Sequence, residues 1–318
     1  MRTARYGLAM AALLSFIAQV GARAQDPPPP SPATLVEEVE IIARLPGPAL
    51  WRVSTPKSQI WFFGLPGTGL PRDFRWDDRR MATALTGARE LVLPPSVTAG
   101  SGDLFSVKSD PGHLVRMPPG QTVRTDLPPD LRARWEAAAR AVGQDPAHYD
   151  QWRPVLAARA MEADVAKRDQ WNQLGAMIQM GPLANTLHVK IRRLASYDGM
   201  EVLRRLEATP EAGQTCLRNA ADLALAPTRP LEAIEAWAKG DYAAVRALNG
   251  RTGGCLSVVP AVAALSDRAA ADWAKGLKSE LAKPGKAVVA ADLDTLTRKG
   301  GLLDQLKAEG LDVIGPDY

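Results

Sequence analysis

Histidine, the commonest ligand and general base, occurs only at His113, His148 and His188 in this 318-residue chain. The three lie far apart on different expected elements. No H-E-x-x-H or H-x-H spacing joins them, so no pair of imidazoles is presented to a metal from one face. Gly100-Ser101-Gly102 lacks both the G-x-S-x-G pattern and the strand-turn-helix setting that exposes a nucleophilic serine, and reads as turn chemistry. Gly64-Leu65-Pro66-Gly67-Thr68-Gly69 follows an expected strand and carries three glycines. It has neither the lysine of a phosphate loop nor the G-x-G-x-x-G spacing of a dinucleotide site, which argues against nucleotide binding. Glu37-Glu38 and Asp77-Asp78 are adjacent acids, so they face opposite sides of a strand or diverge on a helix. Neither makes a pair of opposed catalytic carboxylates.

The first residues set the compartment in which any chemistry would take place. Arg2 and Arg5 precede an apolar run from Tyr6 to Val20, and Ala22-Arg23-Ala24 supplies small residues at the cleavage positions. That is the pattern of a secretory signal peptide spanning residues 1–24, and it predicts a periplasmic or secreted protein cleaved after Ala24. The run falls short of the ~20 apolar residues of a membrane span, and no later stretch is long enough, so no transmembrane segment is expected in the mature chain. The formal charge of +4 includes Arg2, Arg5 and Arg23 and no acid from this segment, so cleavage lowers it by three to +1. A nucleic-acid partner is therefore not expected: Arg132, Arg134 and Arg140 alternate with Glu136 and apolar residues rather than forming a basic face. In an oxidising compartment Cys216 and Cys255, which lack a C-x-x-C partner or a neighbouring histidine, are expected to form one disulfide. Closing that loop of about 40 residues would stabilise by about 4 kcal/mol in the chain-entropy picture.

The elements that must position any site follow from periodicity. Residues 25–47 combine a proline-rich linker, Pro27 to Pro32, with a short strand marked by Val36, Val39, Ile41 and Ile42. Leu50 to Val53 and Ile60 to Phe63, joined through Ser54-Thr55-Pro56-Lys57-Ser58, predict a β-hairpin. Asp77 to about Ala88 reads as a helix with Met81, Ala84 and Leu85 on one face, and Glu90 to Leu93 as a buried strand. The Pro- and Gly-rich stretch 94–130 is expected to be irregular, with room for one hairpin. From Leu131 helices dominate: Leu131 to Val142, Pro154 to Arg168, Leu174 to Met180, Pro182 to His188, Met200 to Ala208 and Gln214 to Ala224. A basic strand from Val189 to Leu194 interrupts them. Met177, Ile178 and Met180 suggest core packing between helices. Pro230 to Leu248 predicts a helical hairpin turned at Gly240, Pro260 to Lys283 a long helix, and the remainder a strand (Lys286 to Ala291), a helix (Leu302 to Glu309) and a strand (Leu311 to Ile314). The whole predicts an α/β fold, with a mixed central sheet built from N- and C-terminal segments and a largely helical middle region.

Four N-terminal pieces in this order, Pro48-Ala49-Leu50-Trp51-Arg52-Val53, Ile60-Trp61-Phe62-Phe63-Gly64, Trp76 before a helix, and Glu90-Leu91-Val92-Leu93, resemble the signature of the TraB/GumN family. Trp237-Ala238-Lys239-Gly240-Asp241 resembles its W-x-x-G-D helix junction. Asp267-Arg268 with Trp273 resembles its E-R-N-x-x-W segment, and Ala287 to Val313 its closing strand, helix and strand. The resemblance covers residues 48–318 as one domain.

The family is thought to be related to metal-dependent proteases of the Tiki type. It is characterised by a G-x-x-H after the second strand, a glutamate ending the next strand and a second G-x-x-H near the C terminus. By this resemblance the cleft positions here are Gly64, Gly67, Pro94, Arg268 and Asp292. Gly67 stands at the first histidine position, Pro94 at the glutamate, and Val289-Ala290-Ala291-Asp292 at the second motif. Hydrolytic metal sites use about three protein ligands and a group that activates water. Glycine and proline side chains offer no donor, so no catalytic residue, metal or cofactor is expected. The resulting expectation is an inactive relative that binds a peptide, an envelope protein or a small ligand. The alternative is an active metal-dependent hydrolase or peptidase with a relocated site, built from Asp292 with Arg268 and a further acid from a loop.

Overall fold

The computed structural model describes residues 47–67, 69–98, 112–172, 174–199, 209–226, 231–249 and 260–318. The expected strand at residues 36–42, the helix at 200–208 and Cys255 lie outside the described residues.

The hairpin forms as the sequence predicts. Strand β1 (Leu50–Ser54) runs antiparallel to β2 (Ser58–Leu65) in the register Leu50↔Phe63 to Ser54↔Gln59. Its turn is closed by Thr55, whose amide donates to the Ser58 carbonyl at 2.8 Å and whose hydroxyl accepts from the Ser58 amide at 3.0 Å. Strand β2 is central. Its other edge pairs in parallel with a C-terminal strand (Gly285–Asp292) along the whole length, from Ser58↔Gly285 to Leu65↔Asp292. That C-terminal strand carries Ala287, Val288, Val289, Ala290 and Ala291, all fully buried, as a strand covered on both faces requires.

In chain order the remaining strands are β3 (Leu70–Pro71), β4 (Glu90–Leu93), β5 (Ser96–Thr98), β6 (Trp171–Asn172), β7 (Lys190–Arg193), β8 (Ser196–Asp198), β9 (the Gly285–Asp292 strand) and β10 (Val313–Ile314). The main sheet has the order β10-β1-β2-β9-β4-β7, with β2, β9, β4 and β7 mutually parallel. N- and C-terminal segments therefore alternate within one mixed sheet.

The helices are α1 (Arg79–Leu85), α2 (Gly112–Val115), α3 (Pro129–Ala141), α4 (Pro154–Arg168), α5 (Met177–Thr186), α6 (Pro210–Leu225), α7 (Glu232–Lys239), α8 (Tyr242–Asn249), α9 (Pro260–Ala282), α10 (Leu293–Thr297) and α11 (Leu302–Ala308). Helices α3, α4 and α6 enclose a second core, separate from the one on the sheet, built from Leu131, Trp135, Tyr149, Met161, Leu217 and small residues such as Ala138, Ala158 and Ala220. Those alanines let the helix axes approach closely. Cys216 is fully buried in this core.

Three expectations are revised. The stretch 94–130 contains no hairpin in its described part: β5 pairs in parallel with β8, one hundred positions later, because β4 and β7 already lie side by side and simply continue past Pro94 and Ala195. The two segments expected at 174–180 and 182–188 are one helix, α5, with Pro182 inside it. Bonds of the i→i−3 kind open this helix, Ile178 to Gly175 and Gln179 to Ala176. Of the methionine-rich cluster, Met180 is buried and Met177 packs on the core, while Ile178 is exposed.

Candidate functional site at the carboxyl edge of the sheet

In an open parallel sheet the carboxyl ends of the strands form the natural crevice. Register places the sequence-selected positions there. Gly64 pairs with Ala291 and Leu65 with Asp292 at the ends of β2 and β9, and Val92 pairs with Val289 just before β4 ends and Pro94 leaves the sheet. Gly64, Gly67, Pro94 and Asp292 thus share one end of three adjoining strands. Arg268 is brought elsewhere. It lies exposed on α9 with its guanidinium 5.0 Å from the centre of the Tyr197 ring, on the annex formed by β5 and β8. The Tyr197 hydroxyl donates to Asp272 Oδ2 at 2.8 Å; burial, and then this bond, push the phenol up to about 12. Arg268 and Asp292 form no ion pair.

Gly64 is a packing residue. A β-carbon there would stand 2.7 Å from Leu293 Cδ1 and 3.4 Å from both Trp51 Cζ3 and the Tyr242 hydroxyl. Its carbonyl accepts a buried hydrogen bond from Trp237 Nε1 at 2.7 Å. Trp237 in turn packs edge-on against Phe63 and Trp76, at centroid distances of 6.0 and 5.8 Å. Gly240 ends α7 in the left-handed region at φ 77°, and a β-carbon on it would meet the Gly47 carbonyl at 3.1 Å. The next residue, Asp241, accepts from the Ala244 amide at 3.0 Å and so caps α8. The W-x-x-G-D junction is therefore bolted to the end of β2 and to the entry of β1.

Gly67 differs from Gly64. Among the described residues nothing lies within 4 Å of its β-position, and its φ is 71°. Asp292 precedes α10 but makes no side-chain capping bond. The side chain is exposed, yet protein crowds its surroundings and displaces water, which raises the carboxyl above its ordinary value; Asp294 adds to this and the Asp292 backbone amide opposes it.

The donor set does not fit a divalent metal. Gly67 and Pro94 bring no ligand atom, leaving one carboxylate. Among the described residues no group of three or more His, Cys, Asp and Glu side chains converges. His148 is exposed in the 3-10 turn Pro146–Tyr149, His188 is exposed ahead of β7, and His113 belongs to α2.

The sequence reading passed over two residues beside this edge, Arg80 and Tyr242. Arg80 falls four residues before Ala84, on the same stripe as the apolar face of α1. A cation on an apolar stripe is the signal that was available.

Among the described residues, no helix is long and apolar enough to cross a membrane. Neither the curated proteins nor the solved structures contain a significant match to this chain. The profile of the TraB/PrgY/gumN family matches residues 49–314, from the first residue of the buried β1 entry to the last residue of β10. The chain belongs to the TraB/PrgY/gumN family.

Proposed function

We propose that this protein is an exported, catalytically silent member of its family, which uses the carboxyl edge of the sheet to bind a peptide, an envelope protein or a small ligand. The observation that carries this reading is the convergence of Gly67, Pro94 and Asp292 on one edge of three neighbouring strands, where the family resemblance places metal ligands and only one carboxylate remains. One carboxylate holds Zn²⁺ or Mn²⁺ weakly and leaves no group to activate water. The signal-peptide pattern of residues 1–24 supports a periplasmic or secreted location, with 25–47 as linker and short strand and 48–318 as the family domain. A Cys216–Cys255 disulfide in that compartment would tie the helical core to the segment ahead of α9.

Metal content of the mature, purified chain tests the reading. The expected result is less than stoichiometric transition metal after dialysis and no chelator-sensitive cleavage of unstructured peptides. Stoichiometric metal together with cleavage abolished by chelation refutes it.

A further inference from the structure

Strand β7 ends the main sheet among the described residues, and no other described strand pairs with its outer side. The ladder to β4 shows which backbone groups face outward. The Leu194 amide donates to the Leu93 carbonyl at 2.9 Å, and in a parallel ladder every second residue turns to the same neighbour, so Lys190 and Arg192 face β4. Ile191 and Arg193 therefore point their amides and carbonyls away from it. The Arg193 carbonyl accepts from Arg192 Nη1 at 3.2 Å, which leaves both amides and the Ile191 carbonyl for a further strand. The side chains along this edge are open: Lys190 and Arg193 are exposed, and Ile191 is 36% exposed. Arg192 is committed to Glu90 and Glu280, at 2.9 and 2.7 Å, whereas neither Lys190 nor Arg193 has an ion-pair partner among the described residues. An exposed edge is a template for one more strand, and the residues on it decide which strand that is.

We propose that β7 is a docking edge for an extended acidic segment of a partner protein, which joins the sheet as a further strand. Lys190 and Arg193 stand three positions apart, so they project from opposite faces of the strand. A matching strand carries acids at the same spacing, in the pattern acid-apolar-apolar-acid. One carboxylate then lies beside each cation and an apolar side chain beside Ile191. The pattern reads the same in both directions, so it fits a parallel or an antiparallel strand. A second copy of this chain fits badly: two β7 strands paired antiparallel about their centre would set Lys190 against Arg193 twice, and like charges directly opposite are destabilising. Edge cations guard a sheet against pairing, and here they exclude strands of like sign while admitting acidic ones. No residue of the carboxyl edge takes part, so this proposal stands or falls separately from the reading above.

Fluorescence anisotropy of three labelled hexapeptides titrated with the mature chain at low ionic strength tests the assignment. The first is TEVVET, blocked at both ends; the second is TKVVKT; the third is TEVVET with both valine amides methylated, which removes a ladder amide whichever edge the peptide turns to β7. Saturable binding of the first is expected, with the other two about tenfold weaker or more. Ile191→Pro deletes one outward amide at a place where an edge strand tolerates proline, and should weaken the first peptide about tenfold. The double variant Lys190→Glu with Arg193→Glu alters two exposed side chains that have no ion pairs and should reverse the preference, binding TKVVKT over TEVVET. It keeps the test decisive if Ile191→Pro does not fold. Equal binding of the methylated peptide would reduce the interaction to charge alone and overturns the proposal. So do equal binding of TKVVKT by the unaltered chain, no binding at millimolar concentration, or an unchanged preference in the double variant.

Discussion

Replacing Trp237 by phenylalanine removes one hydrogen bond and part of one ring, and the structure contains its own control. Trp237 and Trp135 are both fully buried, each in one of the two cores. They differ in the indole N–H: that of Trp237 bonds the Gly64 carbonyl at 2.7 Å, while that of Trp135 has no partner in the protein. Shrinking tryptophan to phenylalanine leaves a void of roughly 40 Å³, worth about 1 kcal/mol at ~24 cal/mol per Å³. At Trp237 the change also orphans a buried carbonyl, which adds about 1–2 kcal/mol, for a total of about 2–3 kcal/mol. At Trp135 it discards a donor that was already unsatisfied, so the cost stays at about 1 kcal/mol or less. Urea denaturation followed by far-UV circular dichroism measures both. Trp237→Phe should also lower the melting temperature by about 6 °C, given ~2–4 °C per kcal/mol in a domain approaching this size. If the two variants lose the same stability within about 0.5 kcal/mol, the bond to Gly64 does not anchor the helix junction and the reasoning fails.

At the opposite, amino edge of the sheet, the nearly sealed carboxylates of Glu90 and Glu280 are held by Arg89, Arg192 and Lys283, with contacts of 2.6 Å from Arg89 and Lys283 and 2.7 Å from Arg192 to Glu280. Glu280→Gln leaves three cations facing one acid and should cost about 3 kcal/mol in urea denaturation; a loss below about 1 kcal/mol would mean that solvent already supports these cations. Despite burial, which acts the other way, the Arg192 hydrogen bond and the surrounding cations hold the Glu90 carboxyl down at about 2 against its ordinary 4.5. Its contribution is therefore complete above 4.5 and disappears as pH falls toward 2, and a Glu90→Gln variant should show a shallower acid limb over that window. Asp292 has the opposite sign. Its raised carboxyl favours the protonated folded state, so stability rises as pH falls through its folded value, and Asp292→Asn should remove that rise without lowering stability at neutral pH. An unchanged profile in this variant would mean that Asp292 is solvated like a free carboxylate.

Much of this fold is legible in local sequence because its signals are local. Turn chemistry at Thr55-Pro56-Lys57 fixes the hairpin, and an unbroken apolar run at Ala287 to Ala291 marks a strand buried on both faces. Helices α3, α4, α6 and α9 begin with proline in the first turn, where its missing amide is harmless. What escapes is non-local. The pairing of β5 with β8 and of β3 with β6 joins two- and three-residue strands across about one hundred positions, and such short pieces carry no periodicity of their own. Helix α10 is five residues long and follows β9 without a loop, so it is invisible to an amphipathic pattern. Arg80 carried a local signal in its place on the apolar stripe of α1, whereas Tyr242 carried none: its burial shows only once α8 docks against the end of β2.

The two glycines of Gly64-Leu65-Pro66-Gly67 are held in place by different physical demands. Gly64 is indispensable to packing: Leu293, Trp51 and Tyr242 close over it and Trp237 bonds its carbonyl, so a larger residue would push α8 and α10 off the strand end. Gly240 is held to the same standard by the Gly47 carbonyl. These residues, with Trp237 and Asp241, serve the packing of the strand end and the helix junction, and their presence says nothing about catalysis. The fourth position is different. Among the described residues no atom lies within 4 Å of a β-carbon at Gly67, so packing does not choose its side chain. Its backbone has also taken the left-handed conformation, φ 71°, which costs a β-carbon-bearing residue about 1 kcal/mol or more. Gly67 is thus held by its turn conformation and not by its neighbours, the reverse of Gly64. Two glycines three positions apart therefore answer to different demands: close packing fixes Gly64, while a left-handed turn open to solvent fixes Gly67.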